Sequence, residues 1–266
     1  MSTNRPYLSH NRDAWDNQSQ GDSEWCQPVD EATIAAAKDD KWSLILTPLK
    51  PVPRDWFGVI KNKKLLCLAS GGGQQAPILA AAGADVTSFD LSDEQLEKDR
   101  LVARRDSLAL STTQGDMANL SPFEEGYFDL VFHPVSNVFS QDITTVWREC
   151  FRVLAPGGRL LSGFMNPDFY LFDHQALDKG GPLLVTYPLP FSDIDDLSAS
   201  ELKILADDKQ AFEFSHSLDT QIGGQIAAGF HIAGFYEDRW SDEATRLNKY
   251  MPTSMATLAI KPTLAS

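Results

Sequence analysis

A short apolar run that ends in three glycines, followed by a second apolar run that ends in an acid, most limits how this chain can fold. The first run covers residues 64–69 and leads through Ser70 into the glycines 71–73, and the second covers residues 85–90 and ends at Asp90. This order predicts a strand, a glycine turn, a helix over 75–82 and a second strand with a carboxylate at its tip. Glycine lets a backbone approach a ligand closely, and an acid at that strand end can bind ribose hydroxyls. The pattern therefore predicts a site for an adenosine-containing cofactor.

Strands and helices continue to alternate as far as residue 164. We predict helices over 92–105 and 142–154 and strands over 108–114, 128–133 and 159–164. The first of these helices begins with a capping-box pattern, in which Ser92 caps the backbone and Gln95 reaches back. Such an alternation predicts an α/β fold with a doubly wound, mostly parallel sheet.

The alternation of strands and helices ends after residue 165. Residues 219–230 are predicted to form a helix weakened by two glycines, and residues 231–240 and 254–261 form apolar runs without a helix between them. We therefore expect seven strands, with an antiparallel C-terminal strand at the sheet edge.

The chain divides into two parts by composition. Residues 1–60 contain four of the six tryptophans and several prolines, which predicts a leader that packs as a lid on a main domain of residues 61–266. A role of these tryptophans as plain hydrophobic anchors is equally compatible with the pattern. Residues 166–215 are polar and contain prolines, so we expect them to form an insertion within the main domain.

Charge and composition narrow the range of partners. The 266 residues have a formal net charge of −14, which disfavours binding to nucleic acid. No apolar run approaches the roughly 20 residues that span a bilayer, and residues 1–11 have no signal-peptide core, so we expect a cytoplasmic protein without membrane contact. The three cysteines are widely spaced and no histidine pairs have ligand spacing, so no metal site is predicted. The sequence leaves the oligomeric state open.

Residues 71–76 also fit the dinucleotide pattern G-x-G-x-x-G/A, so an NAD(P)-dependent oxidoreductase is one alternative. Later segments favour S-adenosylmethionine instead. They are Gln114-Gly115-Asp116-Met117, the Phe-Asp-Leu-Val run at 128–131, the Leu-Ala-Pro-Gly-Gly turn at 154–158 and the C-terminal strand pair. In this order the segments resemble a class I S-adenosylmethionine-dependent methyltransferase of the small-molecule type. The resemblance is close over residues 64–165 and implies the Rossmann-like methyltransferase fold.

The resemblance also implies which residues bind S-adenosylmethionine and its product S-adenosylhomocysteine. Asp90 would hold the ribose, and Leu91, Asp116 and Met117 would contact the adenine. Cys67 and Ala69 stand where the family often has an acid and a glycine, and Gln74 is expected to replace part of the missing acid's function. The remaining expected contacts are Ala69, Ser70, Gly71 and Gly73 along the methionine part, and His133, Pro134, Val135 and Ser136 at the reactive end.

The implied reaction is transfer of a methyl group to a small-molecule acceptor by in-line displacement, in which the enzyme chiefly aligns the nucleophile. His133 and His216 are the acid/base candidates, because one follows strand four and the other precedes the late helix. Structural hydrogen bonding explains either histidine equally simply. Substrate or lid contacts are expected from Trp15, Trp25, Trp42 and Asn137. A non-catalytic S-adenosylmethionine-binding protein is a further alternative.

Overall fold

The computed structural model describes residues 6–21 and 23–263, which contain a seven-stranded sheet with the order β3-β2-β1-β4-β5-β7-β6. The first five strands are parallel, and β7 is antiparallel to both of its neighbours. This confirms the predicted mixed α/β sheet. The C-terminal strand β7 has the expected direction but lies one place inside the edge, which β6 occupies. The strands are β1 Lys64–Leu68, β2 Asp85–Asp90, β3 Leu110–Gln114, β4 Phe128–His133, β5 Leu154–Met165, β6 His231–Asp238 and β7 Ser254–Ile260.

Helices cover both faces of this sheet, so its central strands are apolar on both sides, as parallel strands usually are. In β1 every residue after Lys64 is fully buried. In α6 the apolar residues recur every three or four positions, so that Trp147 and Cys150 are buried against the sheet. The helices of the main sheet are α4 Gln75–Ala81, α5 Asp93–Asp106, α6 Ile143–Val153 and α10 Gly224–Ala228.

The structure corrects three local predictions. The turn expected at 155–158 lies within one long strand, β5, with Gly157 at a φ of +80°. The helix expected over 219–230 is divided into a π-helical turn, Asp219–Gly223, and the short α10. Ser92 does cap α5 by accepting a hydrogen bond from the Gln95 N–H, but the Gln95 side chain donates to the Cys26 Sγ instead. Only half of the capping box is therefore formed.

The leader packs onto the sheet as part of the same core. It contains α1 Pro6–Ser19, α2 Glu31–Lys38 and α3 Arg54–Phe57, together with a 3₁₀ turn at Glu24–Cys26. Ile34, Leu44 and Leu46 join the cluster of buried residues that includes Leu65 of β1. The approach is closest at Gly163 of β5, where an added Cβ would lie 2.1 Å from the Leu46 carbonyl oxygen. A side chain at 163 would therefore displace this part of the leader.

Residues 166–215 form a group of short helices and turns that packs on the main domain beside the leader. They contain a 3₁₀ turn at Pro167–Leu171 and the short helices α7 His174–Asp178, α8 Asp193–Asp196 and α9 Ala199–Asp207. Tyr170 and Phe191 are buried against Val138 and Met165, which belong to the main domain. A 3₁₀ turn at Asn137–Phe139 follows β4, and another at Arg246–Lys249 lies between β6 and β7. No described helix has the length and apolarity needed to cross a membrane.

Candidate active site

A cavity of about 710 Å³ lies where the parallel strands β1 to β5 end. Residues that directly follow or end these strands line it, among them Ala69, Asp90, Gly115, Pro134 and Met165. Side chains of the leader and of residues 166–215 also line the cavity. The carboxyl ends of parallel strands are the usual ligand position in an open α/β sheet. This cavity is therefore the candidate active site.

The glycine loop after β1 is tied to the acid at the tip of β2. The Gly71 N–H donates to Oδ2 of Asp90 at 3.0 Å, and the Ser92 N–H donates to Oδ1 at 3.0 Å. Burial raises the pKa of the Asp90 carboxyl, while the two backbone donors act to lower it. Gly71 has no room for a side chain, because an added Cβ would lie 2.7 Å from the Cβ of Gln95. Asp90, Gly71, Ser70 and Ala69, for which cofactor contacts are predicted, all line the cavity.

Asp99 of α5 connects the same glycine loop to β2 through two hydrogen bonds. Its Oδ1 accepts the Gly73 N–H at 2.8 Å, and its Oδ2 accepts the Ser88 hydroxyl at 2.6 Å. Burial raises the pKa of Asp99 to about 7. Gly73 does not line the cavity, so the direct cofactor contact expected of it is replaced by a bracing role. Sequence analysis missed Asp99, although an acid between the apolar Leu96 and Val102 on one helix face was a usable signal.

The end of the cavity near β2 and β3 contains the residues expected to contact adenine. Leu91, Asp116 and Met117 line it beside Phe89. Asp116 accepts the Ala118 N–H through Oδ1 at 3.0 Å, which fixes the orientation of its carboxylate. Gln74 also lines the cavity, and its side-chain amide donates to the Gln27 carbonyl at 3.1 Å.

The strand-four tip is only partly placed as predicted. Pro134, Val135 and Ser136 line the cavity, whereas His133 does not and is fully buried. Its Nδ1 is 2.9 Å from the Leu68 carbonyl oxygen, so the neutral ring donates a hydrogen bond there. Burial lowers the pKa of His133 to about 4. His133 also packs edge-on against Trp147 of α6 and lies outside the cavity lining, so the structure gives no support to its predicted acid/base role.

Three further candidates also lie outside the cavity lining. His216 is buried, and its Nε2 is 2.9 Å from the Ser140 carbonyl oxygen. Asn137 is fully buried and donates to the Gln221 side chain at 2.9 Å. Trp42 packs edge-on against Phe57 and against the buried cluster that includes Leu65 of β1, so it helps to anchor the leader. These contacts explain the three residues structurally and do not support their predicted catalytic or substrate roles.

Trp15 and Trp25 are the leader tryptophans that line the cavity. The Trp15 ring meets Phe139 edge-on at 5.1 Å between ring centres, and Trp25 meets Trp240 at 6.4 Å. Phe139 follows β4 and Trp240 follows β6. Other leader residues, among them Leu8 and Leu46, line the cavity beside these two rings.

Residues 166–215 supply an aromatic and acidic wall that sequence analysis did not identify. Its best-defined contact is the Tyr170 hydroxyl, which donates to Oε2 of Glu213 at 2.6 Å. The Glu213 N–H donates to Oδ2 of Asp193 at 2.7 Å. Burial raises the pKa of Glu213 to about 7 and that of Asp193 to about 6. The polar composition of this segment was visible in the sequence, but its long-range pairing was not.

The cavity fits S-adenosylmethionine by the chemistry of its donor set. The Asp90 carboxylate can take ribose hydroxyls, and the glycine loop brings the main chain to the cavity without an intervening side chain. Gln95, which also lines the cavity, has a buried Oε1 with no hydrogen-bond partner among residues 6–21 and 23–263. Buried polar atoms usually have partners, so this oxygen is available to a ligand donor. Within the same residues, no cluster of three or more His, Cys, Asp or Glu side chains is arranged to hold a metal ion.

Comparisons with known proteins agree with this geometry. The methyltransferase-domain family model matches residues 66–162. A Bacillus subtilis protein described as "Uncharacterized methyltransferase YbaJ" is 46% identical over 254 residues, which cover 96% of this chain and 98% of that protein.

Two solved structures share the fold. An S-adenosylmethionine-dependent methyltransferase from Mesorhizobium loti superposes with a TM-score of 0.58 at 17% identity, covering 78% of this chain and 94% of that one. A geranyl diphosphate C-methyltransferase from Streptomyces coelicolor, solved with Mg²⁺, geranyl diphosphate and S-adenosylhomocysteine, gives 0.60 at 14% identity, covering 98% and 100%. These findings give no support to the oxidoreductase alternative. The chain belongs to the class I S-adenosylmethionine-dependent methyltransferases.

Proposed function

We propose that this methyltransferase acts on a small molecule that is enclosed in the cavity together with S-adenosylmethionine. The observation that carries the proposal is the cavity itself. About 710 Å³ is continuous from the glycine loop to the wall formed by residues 166–215, and the leader lines one side. This volume lies within the usual range of ligand pockets of about 300–1,000 Å³. It suits a cofactor with a compact acceptor better than an extended polymer.

Each element of the cavity has a distinct task in this proposal. S-adenosylmethionine supplies an activated methyl group when it is bound. Asp90 binds the ribose hydroxyls, and Asp116 and Met117 bind the adenine. Ala69, Ser70 and Gly71 present main-chain groups to the methionine part, and Gln74 closes the loop beside them. Pro134, Val135 and Ser136 flank the region where the acceptor meets the cofactor.

Exclusion of water follows from the same enclosure. Trp15 and Trp25 cover the cavity from the leader, and Phe139 and Trp240 pack against them from the main domain. A covered, largely apolar site holds the acceptor in line and keeps water from competing with it. In this proposal the leader therefore acts as a lid on the active site.

The experiment is a transfer assay with S-adenosylmethionine labelled at its methyl group. A cell extract is separated by ultrafiltration into low-mass and macromolecular fractions, and each is offered to the enzyme. We expect enzyme-dependent label in the low-mass fraction, and at least about tenfold less with the Asp90→Asn variant at a limiting cofactor concentration. Label that appears only in protein or nucleic acid would contradict the proposal.

A further inference from the structure

The Asp and Glu side chains of the cavity lining are not balanced by basic ones. No Lys or Arg is among its described residues, whereas seven carboxylates are. Two of them, Asp90 and Asp116, belong to the cofactor end. The other five come from the insertion and are Asp173, Asp178, Asp193, Glu201 and Glu213. A phosphate, sulfate or carboxylate acceptor would meet only like charges there, and such juxtaposition is costly in a site of low dielectric.

Glu213 is held in one orientation at this end. Tyr170 donates to its Oε2 at 2.6 Å and is its sole side-chain hydrogen-bond donor within the described chain. The backbones of Glu213 and Asp193 also pair, because the Asp193 N–H donates to the Glu213 carbonyl at 3.1 Å. The side chain of Asp193 accepts the Glu213 N–H. The two acids are thus neighbours on a fixed wall, and no cationic side chain lies on that wall to balance them.

The charged and titratable groups around this pair do not supply a cation either. His174 lines the cavity, but its Nε2 is engaged with the Phe169 carbonyl at 2.8 Å and its ring stacks on Phe169 at 3.8 Å. Burial lowers the pKa of His174, which favours the neutral form of its ring. Asp173, Asp178 and Glu201 add further negative charge. Burying two acids without a cation is unfavourable, so a bound cation would stabilise this arrangement.

An aromatic surface surrounds the same acids. Tyr170 stacks on Phe191 at 5.9 Å between ring centres, and Tyr187 lies 4.7 Å from Phe191. Phe169 and Phe172 also line the cavity. Aromatic faces attract ammonium groups through cation–π interactions and bury an apolar body at the same time. The acidic side chains and the aromatic surface therefore both favour a molecule with an ammonium group on an apolar body.

Resting on the proposed methyltransferase function, we infer that the acceptor is an amine that enters the cavity as an ammonium ion on an apolar body. The ammonium group donates to Glu213, which Tyr170 orients, and the rings of Tyr170, Tyr187 and Phe191 hold the body. Before transfer the ammonium group gives one proton to the Glu213 carboxylate. The freed nitrogen lone pair then takes the methyl group as the methyl–sulfur bond breaks, and S-adenosylhomocysteine is the leaving group.

The test measures thermal unfolding of the full chain saturated with S-adenosylhomocysteine. Three series of aryl-alkyl compounds are added, which share the same apolar bodies and end in an amine, a hydroxyl or a carboxylate. We expect members of the amine series to raise the unfolding temperature in a dose-dependent way, and the matched alcohols and carboxylates to have little effect. Ligands that bind the folded state alone raise stability by mass action.

The Glu213→Gln variant links this selectivity to one residue. Glutamine keeps the size of the side chain and an oxygen that can accept from Tyr170, but it removes the charge. We expect at least about tenfold weaker amine binding, as for loss of a charge-assisted hydrogen bond, with unchanged affinity for S-adenosylhomocysteine. Glu124→Gln is the matched control, because Glu124 is exposed and does not line the cavity.

The outcomes separate the two proposals. If S-adenosylhomocysteine itself does not stabilise the chain, the proposed function fails. If it does, but no amine adds stability, or the carboxylates or alcohols add as much, the inference about the acceptor is overturned alone. Equal amine affinity in wild type and Glu213→Gln would also overturn it.

Discussion

Gly71 and Asp90 are joined by a hydrogen bond from the Gly71 N–H to Oδ2 of Asp90, 3.0 Å long, which fastens the loop after β1 to the tip of β2. The other carboxylate oxygen takes the Ser92 N–H at the start of α5. One acid therefore sets the positions of the glycine loop and of a helix N-terminus before any ligand binds. Asp90 thus has both a binding role and a scaffolding role, and substitutions there test the two together.

Asp90→Asn is expected to weaken S-adenosylhomocysteine binding by about tenfold to a hundredfold. Asparagine keeps one oxygen, so it loses one acceptor for a backbone N–H as well as its charge. Hydrogen bonds to charged groups contribute about 1.5–3 kcal/mol, and 1.4 kcal/mol corresponds to about tenfold in affinity. Calorimetric titration measures the effect. Asp85→Asn, at the exposed start of the same strand, is the control, and unchanged affinity in Asp90→Asn would refute the assignment.

His133→Asn is expected to lower stability without changing the pH dependence of turnover. His133 is fully buried and donates to Leu68, and its pKa of about 4 keeps it neutral near physiological pH. The smaller side chain leaves a void and costs about 1–3 kcal/mol of unfolding free energy. Urea unfolding and a pH–rate profile are the two measurements. A variant of normal stability whose pH–rate profile has changed would restore the acid/base role.

Trp25→Ala and Trp42→Ala form a matched pair within the leader. Trp25 lines the cavity and contacts Trp240, so its loss is expected to weaken ligand binding severalfold, given about 0.5–1.5 kcal/mol for an aromatic pair. Trp42 packs against Phe57 and beneath Arg54 away from the cavity, so its loss should lower stability and leave affinity unchanged. Binding and unfolding are measured for both variants. If both variants lose affinity equally, the tryptophans anchor the leader and Trp25 has no specific lid function.

Asp99→Asn is expected to reduce the loss of unfolding free energy that accompanies a rise in pH. Burial raises the pKa of Asp99 from 3.8 to about 7 in the folded state. Between these values the folded chain keeps a proton that the unfolded chain has lost, so the contribution of Asp99 to stability is complete below pH 3.8 and is lost as the pH rises to about 7. Asparagine can accept from Gly73 and donate to Ser88, and it does not ionise.

The stability of the wild type and of Asp99→Asn is measured by urea unfolding at about pH 5 and about pH 8. Between these two pH values the side chain at position 99 ionises only in the wild type. Each pKa unit corresponds to about 1.4 kcal/mol. From pH ~5 to pH ~8 the wild type should therefore lose, relative to the variant, on the order of 2 kcal/mol of unfolding free energy. A parallel pH dependence in the two proteins would show that Asp99 is already ionised throughout.

The sheet and the residues at the cofactor end of the cavity could be predicted from local sequence patterns. The contacts there are local in the chain, since β1, the glycine loop, α4 and β2 follow one another and the carboxyl ends of parallel strands meet at one edge. Asp90 could be proposed because it ends an apolar run, for which hydrophobic periodicity is sufficient. Asp116 and Met117 follow the largely polar strand β3, and they were proposed from the resemblance of residues 114–117 to the methyltransferase family.

The set of distant side chains that line the cavity depends on how the elements pack together. His133 lies outside the cavity lining, whereas Ser136, whose Oγ is 3.4 Å from the His133 Nδ1, lines the cavity, because the chain turns after β4. Tyr170 and Glu213 are 43 residues apart and meet through the folding of a segment without strong periodicity. Pairings of this kind depend on packing between elements, which sequence spacing does not encode.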